Sequence, residues 1–455
     1  MLLRVSAAVL GIAACVSLLP ARGGAAPAPQ DPPPPSDARR AALERAARDL
    51  TNAGTASPGL GQQQGPVRLV DLSLDVMGAV GSSTERDRVL GDLQGGGHDP
   101  RKRGFTLQQA ELSLAAAVDP YFTAQAFLVT QLDPIEGETV VELEEAYATT
   151  QQLPADLQLK VGHYLTEFGR MNQVHPHAWD WVDQPVIITR VLGPDGMRAP
   201  GARVSWLVPG EQYAELFLSV QNANGEGMAS FLANDEFYGE RPIGGRFFTE
   251  REVRSFADVV YSARAVAELP LADTATLLVG ISGALGPNAT GGDADTLIYG
   301  VDFALRVRST DARDRWPEWR LQGEYVARVF DAADQVDDAD PLNPVALPRD
   351  TLRDHGGYLQ GLCGFAQYWS AGLRVDYATG AGSSYDAATQ TFDRDSDMFR
   401  ADRLRLSPLL VYQPSEFSRL RLQYNYDDTD ALADPVHSVW LSFEVLIGTH
   451  PAHRF

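Results

Sequence analysis

Cysteine is almost absent from this chain of 455 residues, which contains only Cys15 and Cys363. Cys15 lies in an apolar N-terminal stretch that has the composition of a removable secretory signal. Removal of that stretch leaves one thiol, so the sequence excludes an internal disulfide and a metal site built from paired cysteines. The motif IAAC at residues 12–15 also resembles a lipoprotein processing site, and the sequence leaves that alternative open.

Other features are missing as well. Beyond the N-terminus no run of about 18 apolar residues occurs, which excludes a membrane-spanning helix. The sequence contains no GxSxG, HExxH or P-loop pattern, so we expect no enzyme. Basic residues are outnumbered, 38 against 60 acidic ones, and the net charge is -22. A chain of this charge is a poor nucleic-acid binder, and we expect no nucleic-acid partner.

The N-terminal region divides into two segments. Residues 1–25 have a basic Arg4, an apolar core and small residues at Gly23 and Ala25, which predicts a signal peptide cleaved after Ala25. Residues 26–66 combine the stiff spacer APAPQDPPPP with a short helix that starts at Ser36 or Asp37. We expect this region to be periplasmic, as a single marginal helix or a short coiled coil.

From residue 67 to residue 455 the pattern changes to alternation of apolar and polar residues. Leu404 and Leu406 alternate with Arg403 and Arg405, for example. This period of two is typical of β-strands, and about sixteen such strands follow one another, with eighteen as the alternative. Short connections such as QPSEF alternate with long ones, as in outer-membrane barrels. The sequence therefore predicts an all-β fold, a transmembrane antiparallel β-barrel in the cell outer membrane.

In such a barrel the polar face of each strand looks into the lumen. Arginine on the lipid face would cost about 2 to 4 kcal/mol per residue at the midplane, so the arginines are expected inside. Either they form an open, charged wall, or they pair with carboxylates that brace the barrel. The phase of the strand that holds Glu142 and Glu144 is ambiguous. The predicted pore-lining residues are Arg306, Arg308, Arg320, Arg328, Arg374, Arg403, Arg405, Arg419, Arg421, Asp71, Asp75 and Glu111.

Residues 144–172, EEAYATTQQLPADLQLKVGHYLTEFGRMN, resemble the phosphate-selective porin O and P family. The resemblance covers a strand with an acid and Ala-Tyr, a short turn, and a strand that ends in Phe-Gly. It implies a sixteen-stranded pore, usually trimeric, with the loop after Phe-Gly folded inward. Here that loop is residues 169–200, whose charged residues are of both signs, so the family's basic phosphate-binding cluster has no counterpart by position.

The predicted constriction loop is unusually apolar for a surface segment, so we expect it to pack against the barrel wall. Two of its histidines flank a proline, with two aspartates nearby, a set that could hold a divalent metal. A polar loop without metal is the alternative. The residues singled out in the loop are His175, His177, Trp179, Asp180, Trp181 and Asp183, with His175 and His177 as metal ligands.

The function that fits these features is passive diffusion of small hydrophilic solutes or ions. The alternatives are a metal-linked, zinc-type uptake receptor and a closed structural or adhesive barrel. No cofactor is expected, although the acidic segments 331–340, 393–397 and 427–434 could bind divalent cations. The expected partners are outer-membrane lipid and lipopolysaccharide, the assembly machinery through the terminal Phe455, and two further copies of the chain in a homotrimer.

Overall fold

The computed structural model describes residues 70–132, 137–309 and 317–448. The predicted signal peptide, the linker with its helix, and Phe455 lie outside the described residues. None of the helices within the described residues is both long and apolar enough to cross a membrane.

Sixteen antiparallel strands pair in sequence order and form one closed barrel, which confirms the predicted fold class and strand number. Closure is made by the first and last strands, where Ser73 lies opposite Gly448 and Ser83 opposite Ser438. The strands are β1 Asp71–Ser83, β2 Gly104–Ala117, β3 Phe122–Leu132, β4 Thr139–Thr150, β5 Leu157–Leu165, β6 Arg198–Leu207, β7 Ala214–Asn222, β8 Val259–Ala272, β9 Ala275–Pro287, β10 Asp295–Val307, β11 Glu318–Ala332, β12 Asp350–Ala366, β13 Trp369–Ala381, β14 Arg403–Ser415, β15 Ser418–Thr429 and β16 Val436–Gly448.

The other elements of the described chain are short and lie in connections or turns. Three α-helices are present there, α1 Asp87–Leu93, α2 Val186–Leu192 and α3 Asp235–Glu240. Two small ribbons pair Gln335–Asp337 with Val345–Leu347 and Tyr385–Asp386 with Thr391–Phe392. Single 3-10 turns occur at Pro154–Asp156, Met171–Gln173, Pro176–Ala178, Glu226–Met228 and Ile243–Gly245.

The two ends of the barrel differ in their connections. At the short-turn end, strands are joined by segments such as 273–274 and 416–417. At the long-loop end, the connections include 223–258 and 382–402. The rule has exceptions, since 308–317 at the short-turn end is longer than 133–138, 288–294 and 430–435 at the long-loop end.

The outward face of the strands is apolar and the inward face is polar. In β15, Leu420 and Leu422 are exposed, whereas Arg421 and Gln423 are fully buried. This is the reverse of a soluble protein, in which large apolar side chains are buried and charged ones are exposed. Such an outer surface suits contact with lipid.

A β-bulge in β4 places two consecutive acids inside the barrel. Phe127 of β3 lies opposite Glu145 and Leu128 lies opposite Leu143, so Glu144 is the additional residue. A bulge redirects a side chain that strict alternation would send to the other face. Glu144 and Glu145 are therefore both buried, which resolves the ambiguous phase of this strand.

Candidate functional site: the barrel interior

The connection between β5 and β6, residues 166–197, is here named the inner loop. It was predicted to be residues 169–200, but β6 already begins at Arg198. The observed bounds differ from the predicted ones because β5 ends at Leu165 and because Arg198 and Pro200 pair with Leu165 and His163 across the ladder.

The inner loop contacts the inner wall on opposite sides of the barrel. The backbone N–H of Gly169 donates to the hydroxyl of Ser282 on β9 at 3.0 Å. Further along, Arg421 on β15 donates to the carbonyl of Trp181 at 3.1 Å. The N–H of Val186, at the start of α2, donates to Asp376 on β13 at 3.2 Å. The loop therefore lies within the barrel and crosses it.

Apolar side chains of the inner loop build the largest core cluster of the described chain. The loop contributes Trp179, Ile187 and Leu192, among others, and the wall contributes Ile298 and Val326. Trp181 lies in a separate cluster against the wall, and its indole N–H donates to the carbonyl of Ser407 at 2.8 Å. The barrel is therefore packed with side chains at this level.

Asp183 is the main polar anchor of the inner loop. Its carboxylate is fully buried and pairs with Arg374 at 2.5 Å and with Arg405 at 3.1 Å. It also accepts hydrogen bonds from Gln423 at 2.8 Å and Asn425 at 2.6 Å. Burial alone would raise the pKa of Asp183, but the two guanidinium groups hold it well below its usual range.

Six of the predicted pore-lining arginines are 9% exposed or less, so they do not form a wall open to water. Their guanidinium groups are covered by the inner loop and by carboxylates of neighbouring strands. Arg405, for example, donates to Asp427 at 2.8 Å as well as to Asp183. The alternative interpretation, pairs that brace the wall, fits this group of six: Arg328, Arg374, Arg403, Arg405, Arg419 and Arg421.

Three further arginines lie toward the short-turn end and are at least partly exposed. Arg320 pairs with Asp180 of the inner loop at 3.0 Å, and their side chains are 36% and 19% exposed. Arg306 pairs with Glu318, and Arg308 is an exposed residue just beyond β10. Water can therefore reach these three arginines, unlike the six buried ones, and Arg306 and Arg320 are paired with carboxylates.

The predicted acidic residues of the wall, like the arginines, include both exposed and buried ones. Asp71 is exposed at the start of β1, whereas Asp75 and Glu111 are buried. Asp75 and Glu111 lie directly opposite each other on β1 and β2. Of the acidic segments proposed as cation sites, 427–434 begins within β15, and its first residue, Asp427, is buried between Arg403 and Arg405. That aspartate is therefore already neutralised by protein groups.

Both histidines of the inner loop meet glutamates of the wall, and we call these residues the histidine–glutamate cluster: Glu111, Glu144, Glu145, His175 and His177. His175 Nδ1 lies 3.0 Å from Glu144 Oε2 and 3.3 Å from Glu111 Oε2. Its Nε2 lies 2.8 Å from Glu145 Oε2. His177 Nδ1 lies 3.2 Å from Glu111 Oε2. Burial alone would lower the pKa of His175, but Glu144 and Glu111 raise it well above its usual value.

Asp180 and Asp183 were the predicted carboxylate partners of these histidines, and that pairing is wrong. Both aspartates instead pair with arginines of the wall. Glu145 was not among the predicted site residues, and Glu144 lay on a strand of ambiguous phase. The signal that could have found them is the pair EE at residues 144–145, because two adjacent acids fit one face of a strand only through a bulge.

Comparison with known proteins gives a fold but no family. No family profile matches the chain. An uncharacterized protein of Aquifex aeolicus (strain VF5) is 28% identical over 416 residues, which cover 85% of this chain and 80% of that protein. Among solved structures, the outer membrane channel DcaP of Acinetobacter baumannii has a TM-score of 0.51 and 13% identity, covering 83% of this chain and 97% of that chain.

The anion-selective porin from Comamonas acidovorans has a TM-score of 0.48 and 9% identity, covering 83% of this chain and 99% of that chain. At 13% identity, the likeness to DcaP concerns the fold alone. The resemblance to the phosphate-selective porin O and P family therefore stays a prediction.

Proposed function

We propose that this chain is an outer-membrane channel of the porin type, through which small hydrophilic solutes or ions diffuse. The observation that carries the proposal is the closed sixteen-stranded barrel with an apolar outer face and a polar inner face. A closed barrel leaves no unpaired strand edge in lipid, and its alternating faces separate lipid from a polar interior. We expect no catalytic activity.

The inner loop forms the constriction of this channel. Its contacts with β9, β13 and β15 span the interior, so solutes have to pass whatever space it leaves. The partly exposed Arg306, Arg308 and Arg320 then form the charged wall that a solute meets at the short-turn end. A narrow pore with a charged wall selects by size and by charge.

A closed structural barrel is the second candidate, and the packing of the interior favours it. Wall arginines such as Arg405 and Arg421 are buried beneath the inner loop, and apolar side chains fill the same level. Under this alternative the loop acts as a permanent plug.

Single-channel recording from the refolded full chain in planar bilayers separates the two candidates. Discrete current steps support the channel, and silence at high protein loading supports the closed barrel. We also propose assembly as a homotrimer in contact with lipopolysaccharide, and recognition by the assembly machinery through Phe455.

A further inference from the structure

We propose that the histidine–glutamate cluster is a binding site for one divalent transition-metal ion of the zinc class, held by Glu111, Glu144 and His175. The ligand atoms of these three residues lie within 4.8 Å of one another. They come from β2, β4 and the inner loop, so a bound ion would tie the loop to the wall. The inference does not depend on whether the barrel conducts.

Two carboxylate oxygens converge on one nitrogen of His175, and one of them, Glu111 Oε2, also lies 3.2 Å from Nδ1 of His177. Glu111 Oε2 and Glu144 Oε2 both face the same ring atom, Nδ1, which carries at most one proton. A metal ion between the three atoms would serve both carboxylates at once. In a tetrahedral site with bonds of about 2.0 Å, the ligand atoms lie about 3.3 Å apart. The distances from His175 Nδ1 to Glu144 Oε2 and Glu111 Oε2, 3.0 and 3.3 Å, are close to that value.

The other nitrogen of His175 is already oriented. Nε2 lies 2.8 Å from Glu145 Oε2, and the ring packs on Phe127 with the ring centroids 4.4 Å apart. A carboxylate that holds the distal N–H of a histidine is the usual outer partner in metal sites, where it fixes the tautomer and the ring orientation. Glu145 is therefore a positioning residue, which the bulge in β4 brings beside Glu144.

Asp75 supplies an independent reason for a cation at the cluster, where the guanidinium group of Arg198 also lies 3.6 Å from Glu144 Oε1. Asp75 is 3% exposed, and neither of its carboxylate oxygens has a hydrogen-bond partner within the described part of the chain. It lies directly opposite Glu111 in the β1–β2 ladder. Like charges placed directly opposite each other on neighbouring strands are destabilising, and a divalent ion beside them would offset that repulsion.

The donor set selects the class of ion. One imidazole nitrogen with two carboxylate oxygens suits zinc and its first-row neighbours, whereas Ca²⁺ and Mg²⁺ prefer oxygen ligands alone. On binding, the ion replaces the Nδ1 proton of His175, and that proton leaves to solvent. Ca²⁺ is therefore the appropriate comparison ion.

The test is calorimetric titration of the refolded full chain with ZnCl₂ and, separately, with CaCl₂. We expect one Zn²⁺ per chain that Ca²⁺ in excess does not displace. Glu144→Gln should abolish this binding, and Glu145→Gln should weaken it about tenfold to 100-fold. The control is the double substitution His450→Gln and His453→Gln, which removes the other closely spaced histidine pair and should leave the stoichiometry unchanged.

Two results would overturn the proposal: wild-type protein that binds no Zn²⁺, and binding that the control loses while Glu144→Gln retains it. A cobalt titration of the wild type requires no variant and covers the case in which Glu144→Gln fails to fold. Visible absorption bands that saturate at one equivalent support the site, and their absence counts against it. Because none of these measurements records current, failure here would leave the channel proposal standing.

Discussion

Asp183→Asn tests whether buried charge holds the inner loop in the barrel. The substitution keeps the shape of the side chain but removes the charge that Arg374 and Arg405 share. Breaking a buried ion pair by removing one partner costs about 3 to 5 kcal/mol. The lower value applies here, because Asp376 and Asp427 still pair with the two arginines. If the free energy that holds the loop against the wall falls by about 3 kcal/mol, the undocked population of the loop rises about 100-fold.

The assay is the rate at which trypsin cleaves after Arg190, in α2 of the inner loop. When the loop opens and closes faster than the protease cuts, that rate follows the open population. We therefore expect cleavage of Asp183→Asn to be about 100-fold faster than that of the wild type. Asp180→Asn is the matched control, because its partly exposed pair with Arg320 contributes about 1 kcal/mol or less. Equal rates for the two variants would refute the anchoring role of Asp183.

Three further predictions concern the outer face, the topology and the wall. Leu218→Arg, at a position 64% exposed on β7, should destabilise the folded protein in liposomes by about 2 to 4 kcal/mol more than Leu218→Ala. Equal unfolding free energies for the two variants would mean that this face does not contact lipid. Protease added to intact cells should cut within 333–349 or 382–402, and cuts confined to 273–274 and 416–417 would reverse the topology. Arg320→Gln should shift the reversal potential in a salt gradient toward cation selectivity. Arg421→Gln, at a fully buried position, should lower stability without that shift. The opposite pattern would place the ion path along Arg421.

The barrel could be predicted because its signal is local. Each strand alternates between an apolar outer face and a polar inner face, as Leu420 and Arg421 do, and this pattern appears in any stretch of a dozen residues. The predicted direction of the arginines follows from the same pattern. The burial of the arginines does not follow from it, because a lumen filled with water and one filled by a loop require the same alternation of apolar and polar residues.

The contacts of the inner loop depend on residues far apart in sequence. Asp183 and Arg374 are separated by 191 positions, and no local pattern joins them. The choice between Asp183 and Glu144 as a neighbour of His175 depends on where the loop crosses the barrel and on the bulge in β4. The sequence therefore indicated which residue types meet in the interior, but only the fold determines which of them pair.

The most direct test of the proposed channel is single-channel conductance with the inner loop altered. Replacement of residues 175–188 by a Gly/Ser segment of equal length removes Trp179, Trp181 and Asp183 but keeps the chain connected. We predict larger current steps than in the wild type, whereas the same replacement of residues 386–399, in a long-loop connection, should leave the step size unchanged. Equal step sizes for the wild type and for a correctly assembled 175–188 variant would contradict the assignment of the inner loop as the constriction.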